Sequence, residues 1–251
     1  MLSFRSDVRY SGRVAGIRER ARTELTAEIV RLARLQVEQE GATNLSLRAI
    51  ARDLGMVSSA IYRYFASRDE LLTRLIIESY DHLGEAVESA DRTVKRRNDF
   101  LARWRAMTHA IRHWAFANPA EYGLLFGTPV PGYAAPTDTI GPASRYTVVL
   151  IQLVVDMEAA GHRSVEKVPT ALRRDYAIFR KRFEVPASDA MLMAGMTAWA
   201  NVMGAINLEL FGHFHNVIDT PGALFDAVVD MQGARLLASG TGTGPAASNR
   251  A

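Results

Sequence analysis

Residues 45–72 read LSLRAIARDLGMVSSAIYRYFASRDELL, and the fold turns on this stretch. Leu47, Ile50, Ala51 and Leu54 recur at helical spacing, Ser46 stands where a helix cap is wanted, and Gly55 ends the run. After a turn at Gly55-Met56-Val57, residues 58–64 read as a second short helix that carries Ile61, with Phe65 just beyond it. Helices this short do not stand alone in water. They need their apolar residues packed against a third helix, and a short pair so held is a helix-turn-helix, whose second helix can enter the DNA major groove. Ala51 and Gly55 are small where the two helices must approach. Outward, the second helix shows Ser58, Ser59, Ala60, Tyr62, Arg63 and Tyr64. Small residues admit backbone to base edges, hydroxyls bond phosphates or bases, and arginine reads guanine or neutralises phosphate.

The charge distribution agrees. The 251-residue chain has a net charge of +3, yet residues 1–68 hold 12 Arg against 7 acidic residues. A basic N-terminal quarter on a near-neutral body suits a polyanion-binding head. Cysteine is absent, which excludes disulfides, thiolate metal sites and a cysteine nucleophile. With 48% hydrophobic and 23% charged residues the composition is globular.

Around this motif, helical periodicity dominates and no alternating strand stands out, so the expected class is all-α. Residues 1–19 read as a loose basic arm. Leu25, Ile29, Leu32 and Ala33 put a helix over 20–40, and a helix opening at Asp69-Glu70 runs to about Arg92. Further helices are expected over 97–118, 119–126, 140–161, 187–214 and 221–239, with a short one at 171–183 and a loop at 128–139. Residues 240–251 read as a disordered tail. The expected division is a head at 20–68 and a body at 69–239. No secretory h-region follows Met1. Residues 190–208 carry no charge but are rich in Ala, Gly and Asn, which points to a helix buried in a bundle and not to a membrane span. The protein is therefore expected to be cytoplasmic, with no membrane partner.

Gly41, Leu45-Ser46-Leu47-Arg48, Ile50-Ala51, Leu54-Gly55, Ile61-Tyr62-Arg63-Tyr64-Phe65 and Arg68-Asp69-Glu70-Leu71-Leu72 resemble the signature of the tetracycline-repressor (TetR) family of bacterial regulators. The match runs without a break over about 50 residues. The resemblance implies a three-helix DNA-binding head on a larger antiparallel bundle that binds a ligand and dimerises through its last two long helices. It also implies that Tyr62 and Tyr64 lie near the phosphate backbone. Arg68, where the family usually has Lys, would meet a phosphate. Ser46 and Arg48 would contact backbone or adjacent bases, and Ser58, Ser59 and Ala60 would face the bases. Val57 departs from the family's capping Ser or Thr, and a valine side chain cannot accept the orphan N–H groups. The segments LLFGTPVPGY (124–133) and LELFGHF (208–214) further resemble a subgroup with a shared C-terminal domain.

In the body, large apolar groups on central helices are the pocket candidates: Trp104, Met107, Thr108, Ile111, Trp114, Tyr122, Phe126, Tyr146, Leu150, Met193, Met196, Trp199 and Met203. Methionine and aromatics suit an adaptable apolar cavity. Small-xxx-small steps at Ala194/Ala198 and Ala200/Gly204, with the stripe Leu224, Phe225, Val228, Val229 and Leu236, make the dimer-interface candidates. His109 and His113 lie one turn apart but lack the acid that a metal set would need, so no metal or other cofactor is expected. Positions three before each histidine are Ser79, Ala106, Ala110, Ala159, Leu210 and Gly212, so the Glu-x-x-His pairs of a di-iron enzyme are missing. No nucleophile elbow, phosphate loop or dinucleotide fingerprint occurs either. With these features, the resemblance implies a non-enzymatic, ligand-responsive repressor. It would bind palindromic duplex operator DNA as a homodimer and be released by a largely hydrophobic effector. The alternative is a ligand-independent or architectural DNA binder.

Overall fold

A computed structural model describes residues 7–238. Among these the chain is all-α: α1 (Asp7–Glu40), α2 (Leu47–Asp53), α3 (Arg68–Thr93), α4 (Phe100–Ala117), α5 (Pro119–Phe126), α6 (Ile140–Ala159), α7 (Thr170–Phe183), α8 (Asp189–Leu210) and α9 (Pro221–Leu237). Helix α1 starts at Asp7, so the loose arm expected over 1–19 is helical from there on. No proline interrupts 7–40, and once nucleated a helix extends at little cost per residue. The expected tail at 240–251 lies outside the described residues.

The chain divides into two compact units, residues up to 79 with 119–140, and 80–118 with the remainder. The first unit therefore reaches past the 68/69 division drawn from the sequence and takes in α5 and the loop after it.

In the first unit, Ile29, Val30 and Ala33 of α1, Ile50 and Ala51 of α2, Ile61, Phe65, and Leu71, Leu72 and Leu75 of α3 are all buried, and α2 lies against both α1 and the turn at 61–63. Ile50, Ala51, Ile61 and Phe65 among them are side chains whose spacing demanded a third helix. Burying each is worth roughly 1.5–3 kcal/mol for the larger ones, which is how the short α2 is held. Arg34 of α1 forms ion pairs with Glu78 of α3 and Glu121 of α5. Thr73 and Tyr133 share a hydrogen bond of 2.9 Å between their hydroxyls.

The second unit is built on α8, which packs against α4, α7 and α9. Helix α8 is long and apolar enough to cross a membrane by length and composition, and 44% of its most apolar stretch is buried inside the fold. Helix α9 presses on α4 at Gly233, where a Cβ would come 2.7 Å from Leu101 Cδ1. Arg145 of α6 grips the second half of α3, bonding Asp81 at 2.8 Å and Glu88 at 2.9 and 3.0 Å. There too the backbones are close: a Cβ on Gly84 would lie 2.7 Å from Arg145 Cβ. Arg103, fully buried, is neutralised by Asp91 at 2.8 Å and Asp156 at 2.7 Å. A buried arginine without such partners would be untenable.

Candidate nucleic-acid interface and cavity

Within the motif that decided the fold, Arg48, Ser58, Ser59, Tyr62 and Arg63 are exposed. Ser46 caps α2, its hydroxyl accepting from Ala49 N at 3.3 Å, while its own N–H donates to Gln36 Oε1 at 2.9 Å. Arg48, two residues on, is exposed. Beyond Gly55, whose φ of 65° is the left-handed conformation that glycine adopts without strain, the chain turns into the second element.

This second element is not the α-helix expected over 58–64. Residues 58–60 form a turn and Ile61–Arg63 a single 3-10 turn. Its hydrogen bonds span three residues: Ala60 N to Val57 O at 2.8 Å, Arg63 N to Ala60 O at 3.2 Å, and Tyr64 N to Ile61 O at 2.9 Å. Val57 sits at the cap position with its side chain 72% exposed. It offers no oxygen to the first N–H groups, so the turn tightens to satisfy them through backbone alone. Ile61 is buried and holds the turn down, leaving Ser58, Ser59, Tyr62 and Arg63 exposed and Ala60 and Tyr64 half-buried.

Arg68, expected to meet a phosphate, is engaged within the chain. Its guanidinium bonds the carbonyls of Leu45 at 3.2 Å, Ala42 at 2.9 Å and Thr43 at 3.1 Å. These belong to the turn that leads into α2, so Arg68 ties that turn to the start of α3. Ser67 and Glu70 close the same helix start, Ser67 Oγ accepting from Glu70 N at 3.1 Å and Glu70 Oε2 accepting from Ala66 N at 2.6 Å. The Ser-x-x-Glu spacing could have flagged this pair in the sequence.

In the second unit, α4, α6, α7 and α8 enclose a cavity of about 500 Å³. Four pocket candidates line it: Trp104, Leu150, Met196 and Trp199. Thr147, Ile151, Val154, Phe179, Leu192 and Gly195 also line it and were not among the candidates. At Gly195 a Cβ would lie 2.8 Å from Val154 Cγ2, so α6 and α8 touch backbone to side chain at the cavity wall. The wall is apolar, and its polar groups are occupied. The Trp104 indole donates to Val229 O at 2.8 Å, and Thr147 donates to Ser144 O at 2.8 Å. The Trp199 indole hydrogen-bonds to Tyr146. Burial, with Tyr80 beside it, pushes the Tyr146 phenol far above its ordinary value against that bond, so it stays neutral.

The other candidates sit elsewhere. Met107, Thr108, Ile111 and Trp114 are buried on α4, Met203 is buried on α8, and Met193 packs against the α7 cluster around Tyr176. None of them lines the cavity. Tyr122 and Phe126 belong to the first unit, with ring centroids 4.9 Å apart.

The apolar stripe on α9 splits in the same way. Phe225, Val229 and Leu236, with Ala198 on α8, are buried within the chain itself. Phe225 stacks edge-on against His109 at 5.4 Å and lies under the Arg112 guanidinium at 5.3 Å. Leu224, Val228 and Gly204 lie instead along an open apolar groove between α8 and α9, with Ala200, Asn201 and Leu208. Ala194, half-buried on α8, does not line this groove and sits instead beside Thr197 and Arg235. A helix that is apolar all round carries no periodic signal separating inner from outer face, which is why the sequence merged the two. Among the described residues no group of His, Asp or Glu gathers in metal-binding numbers.

Comparison with known proteins bears on both units. Residues 29–75 match the family model described as bacterial regulatory proteins, tetR family, and residues 104–232 match tetracyclin repressor-like, C-terminal domain. An HTH-type transcriptional regulator of Mycobacterium tuberculosis is 42% identical over 221 residues, 84% of this chain and 92% of the relative. The solved structure of SCO4313, described as a regulatory protein, superposes with a TM-score of 0.72 at 34% identity, covering 85% of this chain and 97% of the other. A Rhodococcus protein of unknown function shares the fold at a TM-score of 0.65 and 22% identity, over 85% of this chain and 96% of the other. Helix-turn-helix head and helical body thus have one explanation: the chain belongs to the TetR family of DNA-binding transcriptional regulators and is not an enzyme.

Proposed function

We propose that this regulator is a cytoplasmic repressor that binds a palindromic operator as a homodimer and is released by a largely hydrophobic small molecule. Residues 124–133 and 208–214 assign it to the subgroup with a shared C-terminal domain. Ser58, Ser59 and Ala60 face the bases, Arg63 reads guanine or meets phosphate, and Tyr62, Tyr64, Ser46 and Arg48 contact the backbone or adjacent bases. Two chains pair through the open groove between α8 and α9, with Leu224, Val228 and Gly204 at its centre. Helix α3 gives residues to both units and is the element through which cavity occupancy acts on the head.

The observation that carries the ligand-responsive reading is the apolar cavity of about 500 Å³, within the range of small-molecule sites. An architectural DNA binder has no use for one. The test is selection of bound genomic fragments by the purified protein, followed by footprinting. The expected footprint has twofold symmetry, with half-sites one turn apart, about 34–36 Å, or a multiple. An asymmetric footprint, or binding without sequence preference, counts against the proposal.

A further inference from the structure

Beside the cavity lies a feature that hydrophobic binding alone does not use. Residues 163–182 hold seven basic side chains, Arg or Lys, against two acidic ones. An open groove of about 870 Å³ runs between this segment and the start of α8, and Lys167, Arg173 and Arg180 line it. Groove and cavity draw on the same two helices and meet across the packed side chains around Tyr176. On α7, Phe179 lines the cavity and the next residue, Arg180, lines the groove; on α8, Leu192 lines the cavity and Asp189 and Ala190 line the groove.

The register of α7 stacks these charges. Arg173 and Arg180 are seven residues apart, two turns, on one shoulder of the face that buries Tyr176. Arg180 is engaged by Asp189. Lys167 and Arg173 are exposed and make no hydrogen bond or ion pair among the described residues, and the acid left in the groove is Glu166. Two such cations in a groove that shares helices α7 and α8 with an apolar cavity form a half-built anion site.

We infer that the effector is an amphiphile, its apolar body in the cavity and an anionic head, carboxylate or phosphate, on Lys167 and Arg173. This rests on the ligand-responsive reading above and narrows its ligand class. Helix α7, which supplies both Phe179 and Arg173, would read body and head together.

The experiment displaces a neutral apolar dye, N-phenyl-1-naphthylamine, from the full chain with decanoate, decyl phosphate or decanol. At least one of the two anions should bind about tenfold tighter than the alcohol, and the tighter anion identifies the head. A double variant, Lys167→Ala with Arg173→Ala, should bring that anion down to the alcohol's affinity and leave decanol unchanged. Because both side chains are exposed and unpaired, folding should be unaffected, and thermal unfolding checks it. Equal binding of anions and alcohol, or a gap that survives the double variant, overturns the inference while leaving a hydrophobic effector in place. Failure of the dye itself to bind overturns the cavity reading beneath it.

Discussion

Removing the Arg68 guanidinium leaves the carbonyls of Ala42, Thr43 and Leu45 without their shared donor. Arg68→Ala should therefore lower unfolding stability by about 1.5–3 kcal/mol, the usual worth of hydrogen bonds to a charged group. Denaturant midpoints measure it. An unchanged midpoint would mean that the side chain serves DNA and not the fold. Val57 works in the opposite sense. Val57→Ser supplies the missing cap oxygen beside Ala60 N and should stabilise the protein by about 1 kcal/mol, seen as a higher denaturant midpoint at constant slope. A lower midpoint would show that the tight turn is set by something other than the absent cap. At this scale the sequence was legible where a residue's role is local. Ser46 caps as its position indicated, and the Val57 defect was visible before its consequence. The tie that Arg68 makes to the turn before α2 was not legible, because its partners lie more than twenty residues back in the chain, where spacing carries no information.

The crossing of α3 and α6 is where element packing meets electrostatics. The Arg145 hydrogen bond holds Glu88 below its ordinary value of 4.5, against a smaller opposing push from burial, and the Arg145 and Arg92 charges act in the same direction. A carboxylate whose folded value is depressed adds stability that is fully present above the unfolded value. That stability is lost as pH falls through the folded value. Glu88→Gln should thus flatten the acid limb of stability against pH below about 4.5 and cost little of the limb's slope at neutrality. Identical acid limbs in wild type and variant would show the pair to be screened by solvent. Helix positions were largely readable from apolar periodicity and stop signals, as with α5 opening on Pro119 and α9 on Pro221. Faces were not. Helix α7 is polar enough to pass for a surface helix, and only packing shows that Phe179 turns inward to the cavity.

The whole-molecule claim is that occupancy of the cavity alters DNA affinity. Residue types hinted at such a cavity, yet four of thirteen candidates line it, because core and pocket residues share the same chemistry and differ only in whether space is left beside them. Trp199 is the most informative of the four. It lines the cavity, its ring is fixed by the bond to Tyr146, and it lies outside the DNA-contacting head. The decisive measurement is a DNA-binding titration with the selected operator, with and without a displacing ligand, in wild type and in Trp199→Ala. Allosteric couplings run at about 1–3 kcal/mol. Ligand should weaken wild-type DNA binding by about 5–150-fold, and Trp199→Ala should lose most of this response with its ligand-free affinity unchanged. A wild type whose DNA affinity no cavity-binding compound shifts, or a variant that keeps the full response, would contradict that claim.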